Sequence, residues 1–307
     1  MWSFLQNIVT RIKNFFIRFF YGAQLSFISL QAFVHYKKLM IILFLAALLF
    51  TTIFMGFIAI LWQVVPLIQT SKTLEYAVGI PLVILFMYTL NFTKVFFNMI
   101  TVFTIDQYCQ SNNASITHAF NKTFTKLKAI LLWSILETIV RMASSDRNKA
   151  PVASAESFWS FVRNTGWHYL SFFIYPVFAF EQKSMFESLK ESVRLMKNYF
   201  GSISGAIFSF TALAKLAPFI LLGYVTLLGG VIKLVERSSM KPTLELLDFK
   251  QFFLFFLLPT CAFILWFCLE MITIAQTIAG TILYRYVHNQ STGIFSRATL
   301  EAATKER

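Results

Sequence analysis

The residues most able to do chemistry in this sequence are charged and amide side chains that interrupt long apolar stretches. Lys94 and Asn98 stand four residues apart in one such stretch, and Asn91 and Thr101 extend the same polar stripe at helical spacing. Glu270 opens a second stripe, in which threonines follow at every third or fourth position. A charge at membrane depth costs about 3 kcal/mol on insertion scales, so it usually faces water or a partner. These side chains predict either a polar pathway for a solute or structural ion pairs.

Three further charges lie within apolar stretches and complete the candidate set. Glu137 and Arg141 are four residues apart, in the order that favours an intrahelical ion pair. Lys215 has no anion nearby in the sequence, and it could reach Glu137, bind an anion or extend its ammonium group to the membrane surface. Lys94 and Glu270 lie 18 and 19 residues beyond the predicted outer starts of their spans, at 76 and 251. We therefore expect these two to form an ion pair at one depth.

Helices that cross a membrane are needed to position these side chains. The 307 residues are 57% apolar and 13% charged and include 37 phenylalanines, which places the chain in lipid rather than among soluble domains. Stretches long enough to cross the hydrocarbon core predict an all-α, polytopic membrane protein with four long transmembrane helices. They lie at 39–65, 76–105, 202–235 and 251–287. The last two exceed the thickness of the core, so we expect tilt or breaks, with Pro218 and Pro259 as the break points.

Two shorter apolar segments lie between the second and third spans, at 129–143 and 166–180. Because each has about 15 residues, they suit a central re-entrant or half-inserted hairpin better than two full crossings. Pro176 lacks a backbone N–H and disfavours helix immediately before itself, so we expect the second segment to end or kink there. The charge at Glu181 then marks a turn before the chain restarts.

The N-terminal residues 1–30 predict a basic amphipathic helix rather than a cleaved signal. Apolar side chains recur there at helical spacing between Arg11, Lys13 and Arg18, which is typical of a helix that lies in the headgroup plane and contacts anionic lipid. With both termini inside, cytoplasmic segments carry sixteen cations and outer segments eight, while three more lie within apolar stretches. This excess predicts a multi-pass protein with cytoplasmic termini, the tail 289–307 included.

A second amphipathic helix is predicted over 184–200. Ser184 and Glu187 form the S-x-x-E pattern of a capping box, in which each side chain bonds a backbone N–H at the start of a helix. Such a helix lies along a membrane surface or packs against protein. Its expected apolar face consists of Phe186, Leu189, Val193, Met196 and Phe200.

No catalytic or metal-binding motif is visible, so we expect no enzyme activity, no metal and no cofactor. Cys109, Cys261 and Cys268 have neither metal spacing nor a disulfide pattern, and we interpret them as reduced core residues. His35 and His168 lie beside aromatic residues, as interfacial residues do. The 27 cations against 14 anions would suggest nucleic acid in a soluble protein, but their placement follows the topology, so we expect no nucleic-acid partner.

The run FFNMITVFTIDQYCQSNNASITHAFNKTFTKLKAILLWSILETIVRM, followed by FFIYPVFAFEQKSMFESLKESVRLMKNYFG, resembles an uncharacterised family of prokaryotic integral membrane proteins, the domain of unknown function 6159. The shared features are a W-S dipeptide, a P-V-x-x-x-E turn and an aromatic-glycine pair. They correspond to Trp133 and Ser134, to Pro176, Val177 and Glu181, and to Phe200 and Gly201. The resemblance covers about residues 20–290 and departs in having phenylalanine where tryptophan is usual before Gly201. It implies a prokaryotic cytoplasmic (inner) membrane and this fold, and it transfers no activity.

Two classes of function fit these expectations. The first is a transporter or channel for a small solute or ion, in which the buried charges line a polar pathway, since broken spans and re-entrant hairpins place charge at the midplane. The second is a non-enzymatic scaffold or assembly factor whose basic helices bind anionic lipid or a partner protein. The bilayer is the expected partner in both, with a homo-oligomer or another membrane protein as further candidates.

Overall fold

The computed structural model describes residues 2–68, 75–111, 113–145, 167–181, 183–237, 257–293 and 300–301, which contain no strand. Ten α-helices follow one another there, and one π-helical turn, Glu75–Gly79, leads into the third. They are α1 (Trp2–His35), α2 (Lys37–Ile68), α3 (Ile80–Ser111), α4 (Ile116–Thr125), α5 (Leu127–Ser145), α6 (Trp167–Phe180), α7 (Met185–Asn198), α8 (Phe200–Ala214), α9 (Ala217–Arg237) and α10 (Leu258–Val287).

Four stretches within the described residues are long and apolar enough to cross a membrane, which confirms the prediction of a polytopic helical membrane protein. Each overlaps one of the four predicted spans. They are Lys37–Val65 in α2, Tyr76–Ser111 ending with α3, Phe200–Leu227 across α8 and α9, and Leu258–Val287 in α10.

The third span is broken at the predicted place. The helix is interrupted at Lys215 and Leu216, and α9 then begins with Pro218 as its second residue. A proline in a first turn costs no helical hydrogen bond, because that N–H has no partner in any case. Pro259 occupies the same position in α10, so α10 itself runs unbroken for 30 residues.

Helices α3 and α10 run parallel and in register. The hydroxyl of Thr277 lies 2.9 Å from Oδ1 of Asn98, and the guanidinium of Arg285 pairs with Asp106. Each pair is 179 positions apart, so eight residues along one helix match eight along the other. The second and fourth spans therefore point the same way, as an alternating topology requires.

Helices α5 and α6 form an antiparallel hairpin whose described ends lie together. Lys126, just before α5, donates from Nζ to the carbonyl oxygen of Glu181, just after α6, at 3.4 Å. Farther in, the rings of Trp133 and Phe178 are 5.7 Å apart between centroids. The described ends of α5 and α6 thus lie close together, and the connection 146–166 lies outside the described residues.

Helix α6 does not end at Pro176 but continues to Phe180, so of the predicted end or kink at this proline the end is wrong. The missing N–H of Pro176 leaves the carbonyl of Phe172, four residues earlier, without its helical donor. Gly280 of α10 packs directly on that oxygen, since a Cβ on Gly280 would lie 2.2 Å from it. A close Cα–H···O contact is the interaction that such an approach permits. All residues from 172 to 179 are buried, so α6 is enclosed by other helices.

The second half of α1 belongs to the protein core and not to the headgroup plane predicted for residues 1–30. Leu25 and Ser29 are buried there. Gly22 faces the backbone of Ser202 in α8, and a Cβ on Gly205 of α8 would lie 1.9 Å from the carbonyl oxygen of Phe19. Glycine is therefore required for α1 and α8 to approach to backbone contact.

The capping box of α7 is confirmed, and its buried face agrees with the prediction in part, since Met196 is buried and Leu189 and Val193 pack against the core. The backbone N–H of Ser184 donates to Oε2 of Glu187 at 2.9 Å, and the N–H of Glu187 donates back to the Ser184 hydroxyl. Phe186, expected on the apolar face, is 82% exposed, and Phe200 is also exposed. The buried residues are Ser188, Ser192, Leu195 and Met196, because the two small serines allow α7 to lie close to α6.

Candidate functional site

The predicted polar residues Lys94, Asn98, Glu137, Arg141 and Glu270, together with Tyr175, form a largely buried group, with Arg141 at its exposed edge, that we call the polar cluster. Four helices supply it: α3, α5, α6 and α10. Asn98, Glu137, Tyr175 and Glu270 are each at most 5% exposed. Because α3 and α10 are spans, this cluster of charges lies well inside the apolar part of the molecule.

Glu137 is the anion at the centre of the polar cluster. Its Oε1 accepts from Nζ of Lys94 at 2.9 Å and from Nη2 of Arg141 at 2.9 Å. The pair with Arg141 is the intrahelical one that the sequence predicts. The side chain of Lys94 is 20% exposed and that of Arg141 45%, whereas Glu137 is enclosed. One carboxylate oxygen thus takes both cations, and Oε2 has no hydrogen-bond partner among the described residues.

Glu270 does not form the predicted ion pair with Lys94, whose ammonium contacts Glu137 instead. The register of α3 and α10 explains the error, because an offset of 179 places Glu270 opposite Asn91 and Thr273 opposite Lys94. Three helical residues correspond to a shift of about 4.5 Å along the axis. Glu270 is 3% exposed, and its Oε2 has no hydrogen-bond partner among the described residues.

A hydrogen-bonded group of uncharged side chains lies one turn farther along α3. The Thr277 hydroxyl contacts the Asn98 amide at 2.9 Å and the Thr273 carbonyl at 3.1 Å. The Tyr175 hydroxyl lies beside the other end of that amide and beside the Trp133 indole, although its geometry there falls short of a normal hydrogen bond. If the Asn98 amide turns its nitrogen towards Thr277 and its oxygen towards Tyr175, the side chains of Asn98, Thr277 and Tyr175 all have hydrogen-bond partners. This group joins α3, α6 and α10.

The sequence predictions missed a second buried ion pair, between Asp106 and Arg285. The two side chains are 8% and 4% exposed, and Asp106 also accepts from Gln110 at 3.0 Å. A signal was present, because Arg285 continues the four-residue spacing of Thr277 and Thr281. Arg285 is one of the sixteen cations assigned above to cytoplasmic segments, and its side chain is buried inside the bundle.

The chain after α10 folds back over this ion pair. Asn289 adopts a positive φ of 55°, and the N–H of Gln290 donates to the carbonyl of Arg285 at 2.9 Å, as in a Schellman cap. Nε of Arg285 donates to the carbonyl of Ser291, whose hydroxyl donates to the carbonyl of Cys109. The described beginning of the tail 289–307 is therefore packed against α3.

Lys215 lies apart from the polar cluster. It caps the C-terminus of α8 at the break in the third span, and its side chain is exposed. It forms no ion pair with any residue that the structure describes, and Glu137 takes Lys94 and Arg141 instead. Of the three roles left open for Lys215, contact with Glu137 is thus wrong.

Glu181 anchors the end of the hairpin to α10, rather than only marking a turn. Its Oε1 accepts from the Tyr284 hydroxyl at 2.8 Å, and its Oε2 pairs with Lys183 at 2.6 Å. The hydrogen bond to Glu181 raises the pKa of Lys183 above its usual value. Burial lowers the pKa of Lys126, which contacts the Glu181 carbonyl.

The remaining predicted site residues lie on α1. Lys13 is exposed, as a lipid contact requires, and the side chains of Arg11 and Arg18 fall outside the described residues. Two cavities of about 200 Å³ each lie elsewhere, one between α2 and α3 around Phe57 and Phe86, and one beside Tyr286 after α10. Within the described ranges, no three His, Cys, Asp or Glu side chains are grouped to hold a metal ion.

Comparison of the chain with models of protein families, with curated proteins and with solved structures finds no match. The resemblance to the family of unknown function stays a prediction, and the geometry of the polar cluster is the basis for the function proposed below.

Proposed function

We propose that the protein transports a small solute or ion across the membrane along a pathway through the polar cluster. The observation that carries the proposal is Glu270, whose carboxylate is buried in the middle of a membrane span and has no ion-pair partner among the described residues. Structural ion pairs fix helix packing when both partners are satisfied, as Asp106 and Arg285 are. A costly charge that no described side chain balances is better explained by a role in binding or conduction.

The exposure of the two cations supports the same proposal. Lys94 and Arg141 reach the protein surface in part, while the Glu137 carboxylate that they share is enclosed. The polar cluster is thus open to its surroundings on the cation side and closed on the anion side. A solute that enters would meet the Lys94 and Arg141 side chains first.

The topology that we propose places this pathway in a prokaryotic inner membrane, with both termini cytoplasmic. The hairpin of α5 and α6 enters and leaves on the cytoplasmic side as a re-entrant element, since its described ends lie together at Lys126 and Glu181. Its role is to bring Glu137 to the depth of Lys94, as re-entrant segments do in other transport proteins.

Flux into liposomes tests the proposal. Purified protein is reconstituted and uptake is measured for a panel of ions and small solutes, with the variants Glu270→Gln and Lys94→Met beside the wild type. We expect at least one solute to enter with wild type, and both variants to fall close to the rate of protein-free liposomes. The control is Lys215→Met, which removes an exposed cation outside the polar cluster. Absence of wild-type flux for the whole panel, or unchanged flux in both variants, would contradict transport.

A scaffold that binds anionic lipid or a partner protein is a second candidate. The observation that favours it is the outer face of α7, on which Phe186, Lys190, Arg194 and Lys197 are exposed. Basic residues beside an exposed aromatic ring suit a negatively charged surface. Co-purification of anionic lipid that is lost in Lys190→Gln with Lys197→Gln, without any flux in wild type, would favour this function over transport.

A further inference from the structure

Cations are distributed unevenly between the two carboxylates of the polar cluster. Glu137 has two, since Lys94 and Arg141 both bond its Oε1, while Glu270 has none within ion-pair distance among the described residues. One cation would be enough to balance Glu137. Lys94 is therefore the redundant partner, and Arg141 on the same helix would hold Glu137 without it.

The surroundings of Glu270 bring few charges near it. Lys94 approaches from α3, and Glu137 and Arg141 approach from α5. Tyr175 is the titratable side chain of α6 in the polar cluster. The described parts of α1, α2, α8 and α9 that pack on α10 place no charged group beside Glu270. Lys94 is thus the cation best placed to balance an ionised Glu270.

We propose that Glu270 is a proton-binding site, and that loss of its proton draws the Lys94 ammonium from Glu137 to Glu270 while Arg141 stays on Glu137. The proposal rests on the proposed function, in which it makes the proton a transported or coupling ion. The proton leaves the Glu270 carboxylic acid for water in the pathway and leaves a carboxylate behind. No other bond is made or broken.

Charge and distance both allow this exchange. When Glu270 is protonated, the charges of Lys94, Arg141 and Glu137 sum to one net positive charge. Loss of the proton from Glu270 makes the polar cluster neutral. Lys94 has to cover an offset of about one helical turn, or about 5 Å, which its flexible four-carbon stem permits. A metal ion suits the position less well, because Lys94 and Arg141 already act on Glu270 through longer-range electrostatic attraction.

Infrared spectroscopy of the full-length protein in liposomes tests the proposal without relying on transport. A protonated glutamic acid gives a C=O stretch that an ionised one lacks, so we expect a band that titrates between about pH 5 and pH 9. Glu270→Gln should abolish the band and Glu270→Asp should move its frequency, which assigns it to this residue. No titrating band that depends on Glu270 would overturn the proposal.

Variants of the neighbours test the exchange of Lys94. In Lys94→Met the acid form should persist to a pH about 1–3 units higher, since the cation that balances the carboxylate is gone. Arg141→Met should shift the band in the same direction, because Glu137 then retains Lys94. Glu137→Gln should shift it to lower pH, and Lys215→Met should leave it unchanged. If the pH at which the band titrates is the same in Lys94→Met as in wild type, the exchange of Lys94 is refuted, whether or not wild type carries a solute. If wild type shows flux but no band that depends on Glu270, transport is supported and the proton site is refuted.

Discussion

Three buried carboxylates show how differently one kind of side chain is treated in this molecule. Asp106 has a guanidinium and a glutamine amide, Glu137 has two cations on one oxygen, and Glu270 has no ion-pair partner among the described residues. Burial removes hydrating water from each carboxylate, so the different numbers of partners that replace this water indicate different roles. Asp106 fixes structure, Glu137 organises the polar cluster, and Glu270 remains available for a ligand.

At this scale we predict that Arg285→Met destabilises the fold strongly. The change leaves Asp106 buried beside an apolar side chain, and breaking such a pair by removing one partner costs about 3–5 kcal/mol. Thermal unfolding in detergent should show a large fall in midpoint. The matched control is Arg141→Met, because Arg141 is 45% exposed and Glu137 retains Lys94, so its cost should stay below about 1 kcal/mol. Equal losses in the two variants would contradict the structural role of Asp106.

The sequence predicted which polar residues gather and did not predict all of their partners. Spacing identifies a stripe on one helix, which is why Lys94, Asn98, Glu137 and Glu270 were found. Pairing between helices depends on axial register, and a depth estimate from span starts was wrong by about one turn. The offset became measurable only through Asn98 with Thr277 and Asp106 with Arg285, two contacts that no local pattern in either helix fixes.

At the scale of elements, the contact of α1 with α8 depends on small residues. Ser26 donates to the Ala206 carbonyl at 3.2 Å across this contact, in addition to the glycine approaches. The sequence GSISG, which forms the start of α8 from Gly201 to Gly205, thus serves packing within the chain. Small residues let helix backbones meet and gain dispersion and weak polar contacts, since burial from lipid gives no hydrophobic gain.

We predict that Gly205→Ala loosens this contact. The new Cβ would lie 1.9 Å from a backbone oxygen of α1, so one helix must shift, at a cost of about 1–3 kcal/mol. A lower unfolding temperature and faster hydrogen exchange in α1 should result. Gly223→Ala serves as the control, because a Cβ there has no neighbour within 4 Å and alanine favours helix. Wild-type exchange in α1 of Gly205→Ala would contradict the close packing.

The start of α7 should respond to pH. Hydrogen bonds from the backbone and side chain of Ser184 lower the pKa of Glu187 below its usual value. A lowered pKa means that the ionised form favours the folded cap, so protection is complete above the ordinary glutamate range and is lost as pH falls through the lowered value. Hydrogen exchange of the first turn, corrected for intrinsic rates, should show this loss, and Glu187→Gln should lack the pH dependence. Equal pH profiles for both proteins would refute it.

Helix termini were easier to predict than helix faces. The capping box at Ser184 and the break beside Pro218 involve neighbouring residues, so local chemistry decides them. The buried face of α7 was misjudged because a membrane protein can expose a ring such as Phe186 and bury a serine such as Ser188. Apolar periodicity therefore loses its usual meaning where lipid or a membrane surface replaces water as the surrounding medium.

The whole molecule should have both termini on one side of the membrane, because the described residues contain four spans, an even number, and α3 and α10 run parallel. We predict that fusions of green fluorescent protein to either terminus fluoresce in a bacterial host and that alkaline phosphatase fusions there are inactive. A fusion at 236–250, between the third and fourth predicted spans, should show the opposite behaviour. Active phosphatase at only one terminus would require an odd number of crossings and would contradict the topology.

Composition alone fixed the class of architecture, since a chain so poor in charge forms helices in lipid. The packing of helices inside the bundle could be determined only from the structure. The hairpin was predicted as a central, re-entrant or half-inserted element, but its length did not show that α6 is surrounded by α3, α7, α8 and α10. No length rule distinguishes a short helix at the rim of a bundle from one at its axis.

The contact of Gly280 with the Phe172 carbonyl, which Pro176 leaves without a helical donor, has a consequence for insertion of the protein into the membrane. The Phe172 carbonyl that proline leaves open is covered by α10, whose Gly280 emerges from the ribosome more than 100 residues later. Until then the nascent hairpin carries an unsatisfied polar group, which is poorly tolerated in hydrocarbon. Stable insertion of α6 therefore waits on α10, and a chain truncated before α10 should be held by the insertion machinery or degraded.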